Sequence, residues 1–291
     1  MTAWMVATAL ALGAALGETA MTAGPPEQAA TGFKFTEGPV WLGNDGLIFS
    51  DIPGDTIYRL DKSPFRRPSN CSNGLTLDRE GRLVACETTT RRVTRAEKDG
   101  AITVIADSFE GHKFNGPNDV VVRSDGTVFF SDPPYGLPKR LKDPAAELDF
   151  AGVFAVKPGE APRALGRDFE TPNGLAFSPD EKTLYVSDTE RRHIRAFDVA
   201  ADGTLSNSRE FYTLPVPDGM KVDPAGNVWC SAEDGAHVIG PDGKRLELID
   251  IPRASNCAFG DADAKALYVA AGPSIFKVRL NNPGILPGSQ H

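Results

Sequence analysis

Thr36-Glu37-Gly38-Pro39-Val40, Ser72-Asn73-Gly74-Leu75-Thr76, Pro117-Asn118-Asp119-Val120-Val121, Pro172-Asn173-Gly174-Leu175-Ala176, Pro217-Asp218-Gly219-Met220-Lys221 and Ser255-Asn256-Cys257-Ala258-Phe259 are six versions of one phrase. Each opens with a small residue or proline, continues with Glu, Asn or Asp, usually adds Gly, and runs into apolar residues. A turn follows every copy, such as Asn44-Asp45-Gly46, Ser124-Asp125-Gly126 or Pro179-Asp180-Glu181. Beyond the turn lies a second β-rich run, such as Thr127-Val128-Phe129-Phe130-Ser131-Asp132 or Thr183-Leu184-Tyr185-Val186-Ser187-Asp188. A third run often comes next, as in His193-Ile194-Arg195-Ala196-Phe197.

Successive copies are 36 to 55 residues apart. Repeats of about 40–50 residues with about four strands each are the sequence mark of propeller blades, which cannot bury both sheet faces alone. The expectation is an all-β, six-bladed β-propeller with a central channel. A β-sandwich would alternate short strands without repeating one phrase six times. A helical solenoid needs a sustained 3.6-residue period, which the chain lacks. The widest interval, from Asn118 to Asn173, holds a charged stretch at 133–150, read as a loop over the channel mouth because insertions in repeat proteins fall in loops.

Around the repeats, composition sets limits. With Gly 29 and Pro 23 in 291 residues, turns are dense and long helices are disfavoured. A net charge of -8 leaves no basic excess for nucleic-acid backbone or anionic membrane binding, so a small molecule or a cation is the expected partner. Oligomeric state is not legible in the sequence. Ala3 to Gly17 is almost wholly apolar and too short to span a bilayer, which suits the core of an export signal, although no Lys or Arg precedes it. The chain is thus divided into 1–17 as a candidate signal peptide of an exported protein, 18–32 as an unstructured linker, 33–282 as the propeller and 283–291 as a C-terminal tail. If the signal reading fails, the protein is cytoplasmic. Cys71, Cys86, Cys230 and Cys257 form no C-x-x-C pair and are read as free thiols.

In a ring of repeats, equivalent positions lie on a circle. Here that circle reads Glu37, Asn73, Asn118, Asn173, Asp218, Asn256, and every member carries a side-chain oxygen. Any single Asn-Gly or Asp-Gly pair is first of all a turn former. Six coincident oxygens, one of them on a Glu that no turn requires, point to a site for a hard divalent cation. Ca²⁺ is the first expectation, with Zn²⁺, Mn²⁺ or Mg²⁺ as alternatives; no His or Cys in the circle favours a softer ion.

Phe35-Thr36-Glu37-Gly38-Pro39-Val40-Trp41, Phe114-Asn115-Gly116-Pro117-Asn118-Asp119-Val120, Ser131-Asp132-Pro133-Pro134-Tyr135-Gly136 and Pro172-Asn173-Gly174-Leu175-Ala176-Phe177-Ser178, with Pro217-Asp218-Gly219-Met220, closely resemble the gluconolactonase / senescence marker protein (regucalcin) family. The resemblance spans about residues 33–280. It implies hydrolysis of sugar lactones with one divalent metal in the channel, and the metal ligands Glu37, Asn173 and Asp218, with Asn118 as a fourth ligand or a substrate contact. Lys113 takes the place of a basic residue that the family commonly has before Asn118. Asn73 and Asn256 are assigned to the pocket wall, and Tyr135 is expected to contact substrate.

Lactone opening by water needs a proton acceptor, and Asp218 is the candidate base. A Ser-His-Asp reading fails, since no G-x-S-x-G occurs. Asp51, Glu87, Asp132 and Asp188, each closing a second strand, are read as carboxylates that cap turns or support the circle. A phosphotriesterase or fluorophosphatase on the same metal, and a non-catalytic binding propeller, are the rival readings.

Overall fold

The structure, a computed structural model, describes residues 20–288. Six four-stranded antiparallel sheets follow one another around a channel, with a two-stranded hairpin between the second and third. The expected six-bladed β-propeller is what the chain forms. Its inner strands are Thr36–Trp41, Ser72–Leu77, Val120–Val122, Pro172–Phe177, Met220–Val222 and Ala254–Gly260, here blades 1 to 6. Blade 4 shows the pattern: Pro172–Phe177 inside, then Thr183–Asp188, His193–Val199 and Leu205–Thr213 outward.

Among the described residues there is no single core. Buried apolar residues form six clusters, each between two neighbouring blades. Phe129, Val153 and Ala155 of blade 3, for example, pack on Leu175, Leu184 and Val186 of blade 4. Second strands therefore read as near-continuous apolar runs, because both of their faces are covered. Deleting a fully buried ring such as Phe129 would cost about 3–5 kcal/mol in lost transfer and cavity energy.

Residues 18–32, expected as linker, include the closure of the ring. Glu27–Thr31 is the outermost strand of blade 6 and pairs antiparallel with Ser274–Arg279. Thr22 bridges Leu280, and Met21 N–H donates to Glu247 Oε2 at 2.6 Å. Without this strand the edge Ser274–Arg279 would be left with unpaired backbone groups. The sequence EQAAT alone does not announce a strand, since only Ala30 is buried; the requirement comes from the ring. The candidate signal at 1–17 lies outside the described residues. Of the tail, residues 283–288 lie beneath the rear of the channel, where Leu286 packs on the blade 5–6 cluster and Gly284 N–H bonds Ala264 C=O at 2.8 Å. A Cβ on Gly284 would fall 2.0 Å from the Phe259 ring, so the tail approaches where only glycine fits.

Candidate metal and active site

The ring residues stand where each inner strand begins, at the mouth. In blades 1, 2, 4 and 6 the pairing of first and second strands slips at this point, between Glu37 and Val40, Ser72 and Leu75, Pro172 and Leu175, and Ala254 and Asn256. Such bulges turn a side chain out of the sheet's ordinary alternation. In blades 3 and 5 the ring residue precedes the strand, yet Asn118 and Asp218 N–H still bond the carbonyls of Ser131 and Ser231 at 2.9 Å.

The glycine after the ring residue has a packing role. A Cβ on Gly38 would lie 2.1 Å from Asn73 O, on Gly174 2.4 Å from Asp218 O, and on Gly219 2.0 Å from Asn256 Cγ. Gly38 and Gly174 meet the neighbouring blade backbone to backbone and Gly219 meets the Asn256 side chain, so these glycines are close-approach sites. Serines tie the seams: Ser50 Oγ donates to Asn73 O at 2.8 Å and Ser187 Oγ to Asp218 O at 2.9 Å.

The second ring of carboxylates holds the loops that lead into the circle. Asp51 accepts from Phe35 N–H at 3.1 Å, and Asp188 from Glu170 and Thr171 N–H at 2.9 and 3.0 Å. Asp132 accepts from Asn115 and Gly116 N–H at 2.8 and 2.7 Å. Glu87 accepts from Asn70, Thr90, Thr94, Arg92 and Arg66. Asp51, Asp188 and Asp132 thereby fix the backbone a few residues before Glu37, Asn173 and Asn118. Among the described residues the Glu87 carboxylate bonds only side chains, and before Asn73 it is Asp55 Oδ1 that accepts from Ser69 and Cys71 N–H, at 3.1 and 2.8 Å.

Within the circle, Glu37 is 3% exposed and Asn173 3%. Glu37 Oε2 accepts from Gly38 N–H at 2.7 Å and from the Asn256 amide at 3.0 Å, while Oε1 accepts no hydrogen bond among the described residues. Asn173 donates its Nδ2 to Thr189 Oγ1 at 3.1 Å, while its Oδ1 is buried with no partner among the described residues. Asn73 Oδ1 is also buried and unpartnered. Burial, and then the charge of Asp119, push Glu37 up to about 7. Burial and the charges of Glu37 and Asp119 hold Asp218 well above the usual carboxylate range. Glu37 raises Asp218, the Asn173 side chain beside Asp218 has an orphaned oxygen, and Lys221 offsets only part of the negative charge, so a hard dication fits the set. Among the described residues no cluster of three or more His, Cys, Asp or Glu exists, so a site of this kind must draw on asparagine oxygens.

Tyr135, in the 133–150 loop on the mouth side, is half-buried, turns its hydroxyl to Thr189 and Thr171, and lies close enough to feel the charge of Asp218. Arg140 covers its ring at 4.4 Å. Asn118 is 6% exposed and its side chain makes no hydrogen bond among the described residues. Two expectations change. Asn256, placed in the pocket wall, is 2% exposed and spends its amide on Glu37 and its Oδ1 on Cys257 N–H at 2.9 Å, so it supports the circle from below. Lys113 is exposed on the hairpin and meets the loops through its backbone, to Glu147 and Arg91; its ammonium contacts none of the described ring residues. A cation that does reach Glu37 is Lys221, which also acts on Asp119, and neither of these two residues has a role assigned from the sequence. Both were visible as exceptions to the repeat.

The chain matches the SMP-30/Gluconolactonase/LRE-like region over residues 35–272. It is 31% identical to a gluconolactonase of Zymomonas mobilis, over 89% of this chain and 82% of that protein. A solved gluconolactonase from Xanthomonas campestris superposes with a TM-score of 0.80 at 34% identity, covering 88% of this chain and 89% of that one. A calcium-binding regucalcin from Agrobacterium tumefaciens shares the fold, with a TM-score of 0.73 at 17% identity over 91% and 96% of the two chains. The six-fold phrase, the ring of oxygens that it builds and these likenesses agree: the chain belongs to the SMP-30/gluconolactonase/LRE-like family.

Proposed function

We propose that this protein opens sugar lactones by attack of water at the channel mouth, and that Glu37, Asn118, Asn173 and Asp218 hold one divalent cation there, Ca²⁺ foremost. The observation that carries the reading is the buried, unpartnered Asn173 Oδ1, on a side chain that faces Asp218, whose charge repels that of Glu37. The gluconolactonases of Zymomonas and Xanthomonas support the substrate class, and the calcium-binding Agrobacterium protein supports the ion. When bound, a dication would polarise the ring carbonyl and stabilise charge on its oxygen.

The chain's own groups then have separable tasks. Asp218 accepts the proton of the attacking water as the new C–O bond forms, and returns it to the ring oxygen as the acyl C–O bond breaks. Burial and the charges of Glu37 and Asp119 oppose the ionised form of Asp218 that this step needs, and a bound dication would favour it. In this reading Asn118, whose amide has no partner among the described residues, and Tyr135, near Asp218, orient lactone hydroxyls. Asn173 anchors its amide on Thr189 and so presents a fixed oxygen.

The test is hydrolysis of glucono-lactone by the purified protein, before and after chelator treatment. Activity that disappears with chelator and returns with Ca²⁺ or Mn²⁺ supports the reading. Full turnover in thoroughly stripped protein would overturn the cation's part, and no turnover on any aldonolactone would overturn the reaction.

A further inference from the structure

Two residues break the repeat inside the channel. Gly38, Gly74, Gly174 and Gly219 follow the ring residue in four blades, whereas blade 6 has Cys257 and blade 3 has Asp119. Two positions further on, Val40, Thr76, Val121, Ala176 and Phe259 are uncharged, and blade 5 has Lys221. At these levels below the circle, the six inner strands thus supply one carboxylate and one ammonium, from different blades.

Asp119 is 1% exposed and lies against the bare Cα of Gly74, where a Cβ would come within 2.4 Å of its Oδ1. Oδ1 accepts from Val120 N–H at 2.9 Å. The Asn256 amide and Leu175 N–H face the carboxylate from blades 6 and 4 at longer range, and Oδ2 is buried without a hydrogen-bond partner among the described residues. Lys221 donates to Met220 O at 3.0 Å and lies near enough to attract both Asp119 and Glu37. The amide that faces Asp119 is the one that donates to Glu37 Oε2, and its orientation is fixed because Asn256 Oδ1 accepts from Cys257 N–H.

We propose that Asp119 positions Glu37 through Asn256, with Lys221 as its counter-charge, and so governs how tightly the ring holds a divalent cation without touching that cation. The proposal rests on the cation reading above. Ionised Glu37, Asp218 and Asp119 against Lys221 leave two net negative charges for a dication. An uncharged residue at 119 leaves one, and lets the Lys221 charge act on the site uncompensated. Inside a protein, single charges at such range change affinity measurably. Partners that orient a ligand typically change metal affinity by about 10–100-fold.

Calorimetric Ca²⁺ titration of the full chain tests this without reference to turnover. Asp119→Asn is expected to weaken binding at least about tenfold. Adding Lys221→Met to it should bring affinity back to within about threefold of wild type, since the net charge returns. Two merely destabilising changes would not compensate one another. Asn256→Ala, which removes the link and keeps the charge, should weaken binding about three- to tenfold, and it decides the matter if Asp119→Asn does not fold. Wild-type affinity in Asp119→Asn or Asn256→Ala would overturn the proposal, and a double variant weaker than Asp119→Asn would overturn the part given to Lys221. A wild-type protein that takes up no Ca²⁺ would instead remove the cation reading, and the proposal with it.

Discussion

The Asn256 amide donates to Glu37 Oε2 at 3.0 Å across the seam where the last blade meets the first. Residues 219 apart in sequence thus share one hydrogen bond at the centre of the molecule. Closing the ring and assembling the site are therefore one event, because Glu37 is correctly aimed only when blade 6 stands beside it.

Asn256→Asp probes that contact directly. It removes the donor and puts a carboxylate against Glu37, with Asp119 also near. In chelator, unfolding should become easier by about 2 kcal/mol or more, as for an unpaired buried charge. Added Ca²⁺ should raise the melting temperature of this variant by more than it raises that of wild type, since the cation finds an extra negative charge. An equal rise in both would contradict the placement of Asn256 beside the cation's ligands.

Gly174→Ala tests the reading of the repeat's glycine. The new Cβ would sit 2.4 Å from Asp218 O, and neither backbone can yield without opening the seam between blades 4 and 5. A loss of about 3 kcal/mol or more is expected. Gly81→Ala is the control: it is a turn glycine with open space around it and a φ of +74°, so only local strain applies and about 1 kcal/mol should be lost. Similar melting temperatures for the two variants would mean that the phrase is turn chemistry after all.

The blade count was legible because a propeller repeats its physics: each blade needs the same inner strand, the same close approach and the same turn. The circle was legible for the same reason. Glu27–Thr31 was not, because its sequence has no strand pattern and its pairing with Ser274–Arg279 follows only from closure of the ring. The role of Asn256 depends on which way an amide faces, and spacing says nothing about that. Asp119 and Lys221 were in plain view as the charged residues at positions held elsewhere by glycine or uncharged side chains. Reading the repeat for its consensus hid its exceptions.

The two carboxylates raised to about 7, Glu37 and Asp132, give a pH dependence with a definite sign. Burial is the main cause in both, and the ordinary values are 4.5 and 3.8. A group whose folded pKa lies above its unfolded one stabilises the fold below the unfolded value and loses that contribution as pH rises through the folded one. Metal-free protein should therefore lose stability between about pH 4 and 7. Ca²⁺ takes the place of the proton at Glu37 but not at Asp132, whose carboxylate is spent on Asn115 and Gly116 N–H. The gap in melting temperature between calcium-loaded and chelated protein should widen from pH 5 to pH 8. A gap independent of pH would mean that Glu37 does not exchange a proton for the cation.

Asp132→Ala separates support from chemistry. It strips the acceptor from two buried N–H groups just ahead of Asn118, and a cost of about 1–3 kcal/mol per orphaned group is expected. Because Asp132 touches neither cation nor substrate in the proposed arrangement, lactone turnover by the folded fraction at low temperature should fall less than tenfold. A loss of a hundredfold or more at unchanged stability would place Asp132 in the reaction itself.

Asp218→Asn carries the most information about mechanism. The amide keeps a carbonyl oxygen for the cation and nearly the same volume, but it cannot accept a proton at neutral pH. It also removes the like charge that Glu37 repels, so part of the lost attraction for the cation should be recovered through easier ionisation of Glu37. Calcium affinity is therefore expected to fall modestly. The value of kcat at saturating calcium should fall by about 10² or more if Asp218 moves the proton between attacking water and ring oxygen. The measurement is calorimetric titration beside steady-state lactone hydrolysis on the same preparation. Glu37→Gln is the reference, since it also loses a ring charge but leaves the proposed base in place; there the loss should appear in affinity first and in kcat at saturation much less. If Asp218→Asn behaves like Glu37→Gln, with near-normal kcat once the site is filled, then Asp218 serves only to bind, and water attacks the lactone without a base from the protein.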